Sequence, residues 1–483
     1  MNRRQFLRFA AIATTAPVVA QCRPARRLVL RSQPFQPLSR FTSVAGHLTL
    51  SLTAQSDTDI TVGGQFAARM TYSGQSPGPV IEARAGDTVR LTLTNQLPES
   101  TNLHYHGLHI SPEVDNVFRE VASGESYTYE FQIPSNHPAV TGWYHPHYHL
   151  KVASQVFNGL AGPIIVRGEL DDIPEIQQAQ EVVLVLQDFT TDFPGDEALP
   201  TIAKRWGREG SMLLVNGQQN PTIDLPHNGL LRLRLINASA SRIYKLQLSE
   251  HPWFLIATDR GAIAVPKELD TLTLSPGERA ELLVPGDREP GDYKILSLPY
   301  DRGVAEMTQA MGDRVEQMPG IVAAAQTTLA TLRYAKSDRT SPLPLPTALL
   351  PVDPLPEPTI TREFVLNHGL DSTASSTGFI INGQSFVMDR VNTQVQLNTT
   401  EDWLIINKAS MDHPFHLHTN RFQVIERNGQ PVLDRAWKDV VNVGGYQSVK
   451  IRVRFEDFTG RTVYHCHILD HEDQGMMGIV EIT

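Results

Sequence analysis

The closing strand of the chain, Thr462-Val463-Tyr464-His465-Cys466-His467, limits the fold more than any other stretch. Side chains alternate across a strand, so Cys466 points one way and His465 and His467 point the other. His471 follows the cysteine by five residues and Met476 by ten. Both can close back on the sulfur. A thiolate, imidazoles and a weak thioether form the donor set of a blue-copper electron-transfer site. The two flanking imidazoles cannot join that set and must serve a second metal site on the opposite face. One tripeptide therefore links two sites covalently, over roughly 6–7 Å between alternate positions. Such wiring suits a chain that accepts single electrons at one place and uses them at another.

The 483 residues leave room for roughly two to four domains. Charged residues make up 19% and the net charge is −10, with no basic patch of the kind that grips nucleic acid. Cysteine is scarce: Cys22 and Cys466 are the only two. An exported protein with one cysteine in its body uses it for chemistry and not for a disulfide framework. Export is expected, because Asn2-Arg3-Arg4-Gln5-Phe6-Leu7 and the apolar run Phe9 to Ala20 resemble a twin-arginine signal. Val18-Val19-Ala20 fits its cleavage site, which makes residues 1–20 the signal and the periplasm the destination. Cys22 is a weaker candidate for a lipid anchor, since Gln21 suits such a cleavage poorly. No other stretch approaches the ~18 apolar residues of a membrane span.

Short alternating runs bounded by Gly, Pro, Asn and Asp dominate, which reads as all-β. The pattern occurs three times. Ser73-Gly74-Gln75, Asn216-Gly217-Gln218 and Asn382-Gly383-Gln384 each precede an alternating strand: Val89 to Asn95, Leu231 to Asn237 and Trp403 to Asn407. Period-two alternation fits half-buried strands of a sandwich. Three consecutive Greek-key β-sandwich domains are expected, at residues 41–168, 180–335 and 359–483. Pro344, Pro346, Pro351, Pro354 and Pro356 mark 336–358 as an extended linker. The middle unit lacks the histidine pairs and reads as a spacer.

Four histidine clusters carry the chemistry: His104-Tyr105-His106-Gly107, His145-Pro146-His147, His413-Pro414-Phe415-His416-Leu417-His418 and the terminal strand. Each His-x-His pair puts two imidazoles on one strand face. His104, His106, His145, His147, His416, His418, His465 and His467 supply eight imidazoles, enough for three metal ions with positions left open for oxygen. His413, Cys466, His471 and Met476 remain for the blue site. His149 continues the parity of His145 and His147 and is the nearest bystander. His109 has the wrong parity. His47, His137, His227, His251 and His368 read as surface or packing residues.

In order and spacing these clusters resemble the signatures of the multicopper oxidases, above all the bacterial three-domain laccases and cuprous oxidases. The likeness covers nearly the whole mature chain. It implies four copper ions: one type 1, one type 2 and a type 3 pair. It assigns His413, Cys466, His471 and Met476 to type 1, and His104 and His416 to type 2. It assigns His106, His145 and His467 to one type 3 ion, and His147, His418 and His465 to the other. The three-ion cluster then lies between the first and third domains, and a monomer suffices. Asp115 and Glu472 match acidic positions that the family uses near the cluster, as proton donors or as groups that orient ligands. The implied activity couples four one-electron oxidations to reduction of O2 to water. The expected donors are phenols or aromatic amines, reaching an open type 1 edge at His413 or His471. The alternative is a cuprous oxidase for copper tolerance, with Met307, Met311 and Met318 as soft donors for Cu(I). A more distant alternative is a non-catalytic exported copper-binding or structural relative.

Overall fold

A computed structural model of the chain describes residues 33–62, 65–191, 198–303, 325–372 and 377–483. The export signal, Cys22 and the trio Met307, Met311 and Met318 lie outside the described residues. Among the described residues no helix is long and apolar enough to cross a membrane.

The repeats in the sequence become the same local structure three times. Ser73-Gly74, Asn216-Gly217 and Asn382-Gly383 all have positive φ, between 51° and 79°. Two consecutive residues of that kind make the tight turn whose twist matches a β-hairpin. Each turn is closed by a bridge: Tyr72 to Gln75, Val215 to Gln218 and Ile381 to Gln384. The strands that follow, Thr88–Asn95, Leu230–Asn237 and Thr400–Asn407, each pair in parallel with an earlier strand. Each ends in an asparagine that knots the following loops. Asn95 Nδ2 donates to the carbonyls of Glu99 and Val121, Asn237 Nδ2 to those of Arg242 and Leu274, and Asn407 Nδ2 to those of Met411 and Val443.

Among the described residues six sheets result, and they share cores in pairs. The first core joins Leu48, Leu50, Leu91 and Leu93 of one sheet to Tyr105, Tyr144 and Ile164 of the other. The third joins Trp403, Ile405 and Ile451 to Phe415, Tyr464 and Cys466. The architecture is all-β, three cupredoxin-like sandwiches in succession. Between Thr327–Ala335 and Ile360–Leu370 no helix or strand forms. Leu343, Leu345, Leu349 and Leu350 of that stretch nevertheless pack on the apolar side of the middle sandwich.

One strand departs from the half-buried expectation. Leu230–Asn237 is buried along its whole length. Its arginines face the first sandwich in place of solvent: Arg234 Nη1 donates to Thr141 Oγ1 at 2.8 Å, and both Arg232 and Arg234 pair with Glu281 and Asp171.

Candidate metal centre

Strand register sorts the donors. His413–Leu417 runs antiparallel to Gly460–Cys466, with Phe415 opposite Cys466 and His416 opposite His465. His413 therefore shares the face of Cys466, and His416 shares the face of His465. The short helix Leu469–Asp473 then turns the chain back on itself. His413 Nδ1 lies 3.4 Å from Cys466 Sγ, His471 Nδ1 lies 3.6 Å from it, and the two Nδ1 atoms are 3.2 Å apart. Met476 is fully buried in the same apolar cluster. Its backbone is tied to both neighbours: Cys466 N–H donates to the Met476 carbonyl, and Met476 N–H to that of His471. Burial pushes the Cys466 thiol up and lowers His413 to about 3 and His471 well below the imidazole range. Without a metal this pocket holds neutral groups.

The open edge expected at this cluster is not there. His413 and His471 are both 0% exposed. His471 Nε2 donates to the carbonyl of Arg205 at 2.9 Å, and the Phe379 ring stacks on it at 4.0 Å. Arg205 belongs to the helix Thr201–Trp206, a strap from the middle sandwich. Arg302 holds the strap by donating to the carbonyls of Trp206 and Gly207. Gln474 Nε2 donates to the Lys204 carbonyl, and the buried pair Arg208–Asp470 (2.7 Å) fixes the strap's exit beside His471.

The eight remaining imidazoles converge on the other face of the Cys466 strand. Three groups have donor atoms within 4.8 Å of one another: His104 with His106 and His416, His106 with His145 and His467, and His147 with His418 and His465. His465 Nε2 lies 3.2 Å from His147 Nε2 and 3.0 Å from His418 Nε2, and His467 Nε2 lies 3.3 Å from His106 Nδ1. These gaps approach the ~3.3 Å between donors on one ion with metal–nitrogen bonds of about 2.0–2.1 Å. All eight rings are buried, and the structure brings together every one of the expected histidines.

Hydrogen bonds on the outer nitrogens fix which ring atom faces inward. Nδ1 of His145 donates to the Pro146 carbonyl at 2.9 Å, Nδ1 of His416 to that of Asp439 at 2.8 Å and Nδ1 of His465 to that of Cys466 at 3.0 Å. Nδ1 of His104 donates to Asp115 at 2.8 Å. Each bond leaves Nε2 with a free lone pair. The Nε2 atoms of His104, His145 and His416 are buried without any partner, a costly state unless something binds there.

The two acids sit in different settings. Asp115 also accepts from the Tyr105 N–H, and His418 Nδ1 lies 3.5 Å away. Burial alone would raise its carboxyl, but His104 and His418 outweigh that and hold it well below the usual carboxylate range. Glu472 is fully buried, with Oε2 3.0 Å from His465 Nδ1 and Oε1 3.4 Å from His147 Nε2. Neither of its oxygens has an aligned donor. His149 packs on Phe386 and belongs to none of the donor groups. His109 donates to the Thr419 carbonyl and pairs with Asp457, away from the clusters.

Among the described residues the middle sandwich sends no donor into these groups, yet it does more than separate its neighbours. A Cβ on Gly277 would lie 2.7 Å from the His467 ring, and Arg279 lies behind His106. The sequence carries a faint signal for such residues: a charge at the head of an apolar strand, as in Arg279–Pro285 and in Asp439 before Val440–Val443.

Known proteins resemble this chain in sequence and fold. Three family models described as multicopper oxidase match residues 54–171, 180–312 and 357–483. A multicopper oxidase mco of Staphylococcus haemolyticus is 30% identical over 91% of this chain and 89% of its own length. A cell division protein FtsP of Photorhabdus laumondii is 30% identical over 99% of this chain and 98% of its own. The solved structure of a multicopper oxidase from Campylobacter jejuni, described as a metallo-oxidase, superposes with a TM-score of 0.79 at 30% identity, over 93% of this chain and 95% of that one. With the two donor centres in place on a three-sandwich frame, the chain belongs to the multicopper oxidase family.

Proposed function

We propose that the chain is an oxidase that takes electrons singly from a reductant and delivers four of them to O2, releasing water. The observation that supports this most is Cys466. Its side chain lies in one donor cluster while its two sequence neighbours lie in the other. The residues fit copper. One thiolate, two imidazole nitrogens and a neighbouring thioether suit a single redox ion, and eight imidazoles with free, pre-oriented lone pairs suit three more. His413, Cys466, His471 and Met476 would hold the type 1 ion, and His104 and His416 the type 2 ion. His106, His145 and His467 would hold one type 3 ion, and His147, His418 and His465 its partner. Copper held there supplies one-electron exchange at the thiolate and four-electron reduction of dioxygen at the cluster.

The chain's own part is positioning and proton handling. Cys466 joins the centres through two backbone links of one residue each. Asp115 keeps His104 in the tautomer that leaves Nε2 free. Glu472 is a buried carboxyl between His147 and His465 with no aligned donor, a setting that suits a group holding a proton and passing it on. The sandwiches at 41–168 and 359–483 then form one site between them, with 180–335 clamped against both and 336–358 as the linker. Export through the twin-arginine route to the periplasm is proposed from residues 1–20, and a lipid on Cys22 is the weaker reading.

The donor class is the finer question. Phenols or aromatic amines, as in a laccase, need an approach to the His471 edge, which the Thr201–Trp206 strap closes. The sealed edge favours a small metal-ion donor such as Cu(I) or Fe(II), with electrons reaching His471 through the Arg205 carbonyl. A purely structural role, as the name of the FtsP relative would suggest, gives no reason to keep so many buried donors. Oxygen uptake with a panel of phenols, Cu(I), Fe(II) and Mn(II) tests the reading. Faster turnover with a metal ion than with any phenol is expected, a laccase would show the reverse order, and the absence of oxygen uptake with every donor would refute the oxidase itself.

A further inference from the structure

The middle sandwich places a fully buried arginine at the back of the eight-imidazole centre. Arg279 opens the strand Arg279–Pro285 and is 0% exposed. A guanidinium carries five N–H donors in a fixed plane. All five are used here. Nε donates to the Thr141 carbonyl of the first sandwich at 3.0 Å. Nη1 donates to the Gly277 carbonyl at 2.9 Å and to Asp439 Oδ1 at 2.6 Å. Nη2 donates to the Asp259 carbonyl at 2.8 Å and to Asp439 Oδ2 at 2.7 Å. One side chain thus ties all three sandwiches together and holds a single carboxylate in both hands.

That carboxylate touches the centre at two points. Asp439 Oδ1 lies 3.3 Å from His106 Nε2, and the Asp439 backbone carbonyl accepts from His416 Nδ1 at 2.8 Å. His106 and His416 stack on each other with ring centroids 3.9 Å apart. A bond to His106 Nε2 selects the tautomer whose Nδ1 faces His467, and a bond to His416 Nδ1 selects the one whose Nε2 faces inward. The charges around the pair are balanced: Arg279, Arg260 and Lys438 against Asp439, Asp259 and Glu278, in contacts of 2.6–3.8 Å. Partners of opposite charge offset the cost of burying such a network, and removing one of them is expensive.

We propose that Asp439 and Arg279 are a positioning pair. They set the ring orientation and tautomer of His106 and His416, and so couple the docking of the middle sandwich to metal retention at the three-ion centre. The inference rests on the reading of that centre given above. Lys cannot replace Arg279, because three donors on a point charge cannot serve five acceptors in one plane.

The test uses the full chain loaded with copper, in wild type and as Asp439→Asn, Arg279→Lys and Asp259→Asn. Asp259 braces Arg279 from behind, and no bond joins it to an imidazole. The readouts are the blue absorption, the electron paramagnetic resonance of the non-blue copper, and the chelator concentration that strips each class of ion. Asp439→Asn and Arg279→Lys should keep the blue band, change the non-blue signal and lose the cluster ions at ~10–100-fold lower chelator concentration. Asp259→Asn should lower thermal stability and leave the non-blue signal as in wild type. Unchanged signals and retention in Asp439→Asn would overturn the proposal, and so would an equal change in Asp259→Asn, which would make the effect one of general packing. A wild-type chain without the non-blue signal would instead refute the three-ion reading itself.

Discussion

Replacing Asp115 by asparagine separates ligand orientation from electron acceptance. The side chain keeps its volume and can still accept from the Tyr105 N–H. Its other atom becomes an NH2 group facing the Nδ1–H of His104, donor against donor. The ring then keeps only a neutral amide oxygen in place of a charged two-oxygen contact at 2.8 and 2.9 Å, and the new NH2 is a buried donor with no acceptor unless the ring turns to the wrong tautomer. A buried donor left without its acceptor costs about 1–3 kcal/mol, a factor of roughly 5–150 in binding the ion that His104 helps to hold. None of the bonds to Asp115 involves His413, Cys466 or His471, so the blue colour should stay. Copper retention against a graded chelator reads the first effect. Steady-state oxygen uptake from acid to alkaline pH reads the second, and turnover should fall most at high pH, where protons are scarce. Wild-type retention together with a wild-type pH profile would refute both roles of Asp115.

Other perturbations follow from particular contacts. Met476→Leu should raise the potential of the blue centre, read by redox titration, because the weak thioether that would donate there is lost; a fall or no change would show that Met476 does not donate to it. Arg302→Gln removes the guanidinium that holds the Trp206 and Gly207 carbonyls, so the strap should loosen and kcat/KM for a bulky phenol should rise relative to Fe(II). An unchanged ratio would mean that the strap does not govern access. His137 lies outside the donor groups, and burial lowers it to about 3. Its unfolded value is near 6.5, so its contribution to stability is complete above about pH 6.5 and is lost as pH falls towards 3. In the metal-free chain, His137→Gln should flatten the urea-measured slope of stability against pH by up to about 1.4 kcal/mol per pH unit in that window; an unaltered slope would contradict it.

Much of the centre was legible because its logic is local. Alternation on one strand separates Cys466 from His465 and His467, and spacing returns His471 to the sulfur, so the candidate imidazole donors could be grouped without knowing the fold. The threefold turn at Ser73, Asn216 and Asn382 was visible for the same reason, since a hairpin turn needs particular residues at particular places. What escaped the sequence depends on contacts between distant segments. Nothing near Arg205 announces that its carbonyl will meet His471, which is 266 residues away. Arg279 and Asp439 are 160 residues apart and carry no motif. The alternation in Leu230–Asn237 suggested a solvent face, yet that face meets the first sandwich at Thr141 and its arginines pair with Glu281 of the neighbouring strand. The middle unit reaches its neighbours in the same way: its Arg279 holds Asp439, which lies against His106.

Copper quantification combined with electron paramagnetic resonance on the purified, metal-replete chain tests the central claim most directly. About four ions per chain are expected: one blue, one non-blue, and a coupled pair that is silent until one of its members is reduced. A colourless chain, or a blue one that holds a single ion, would contradict the account.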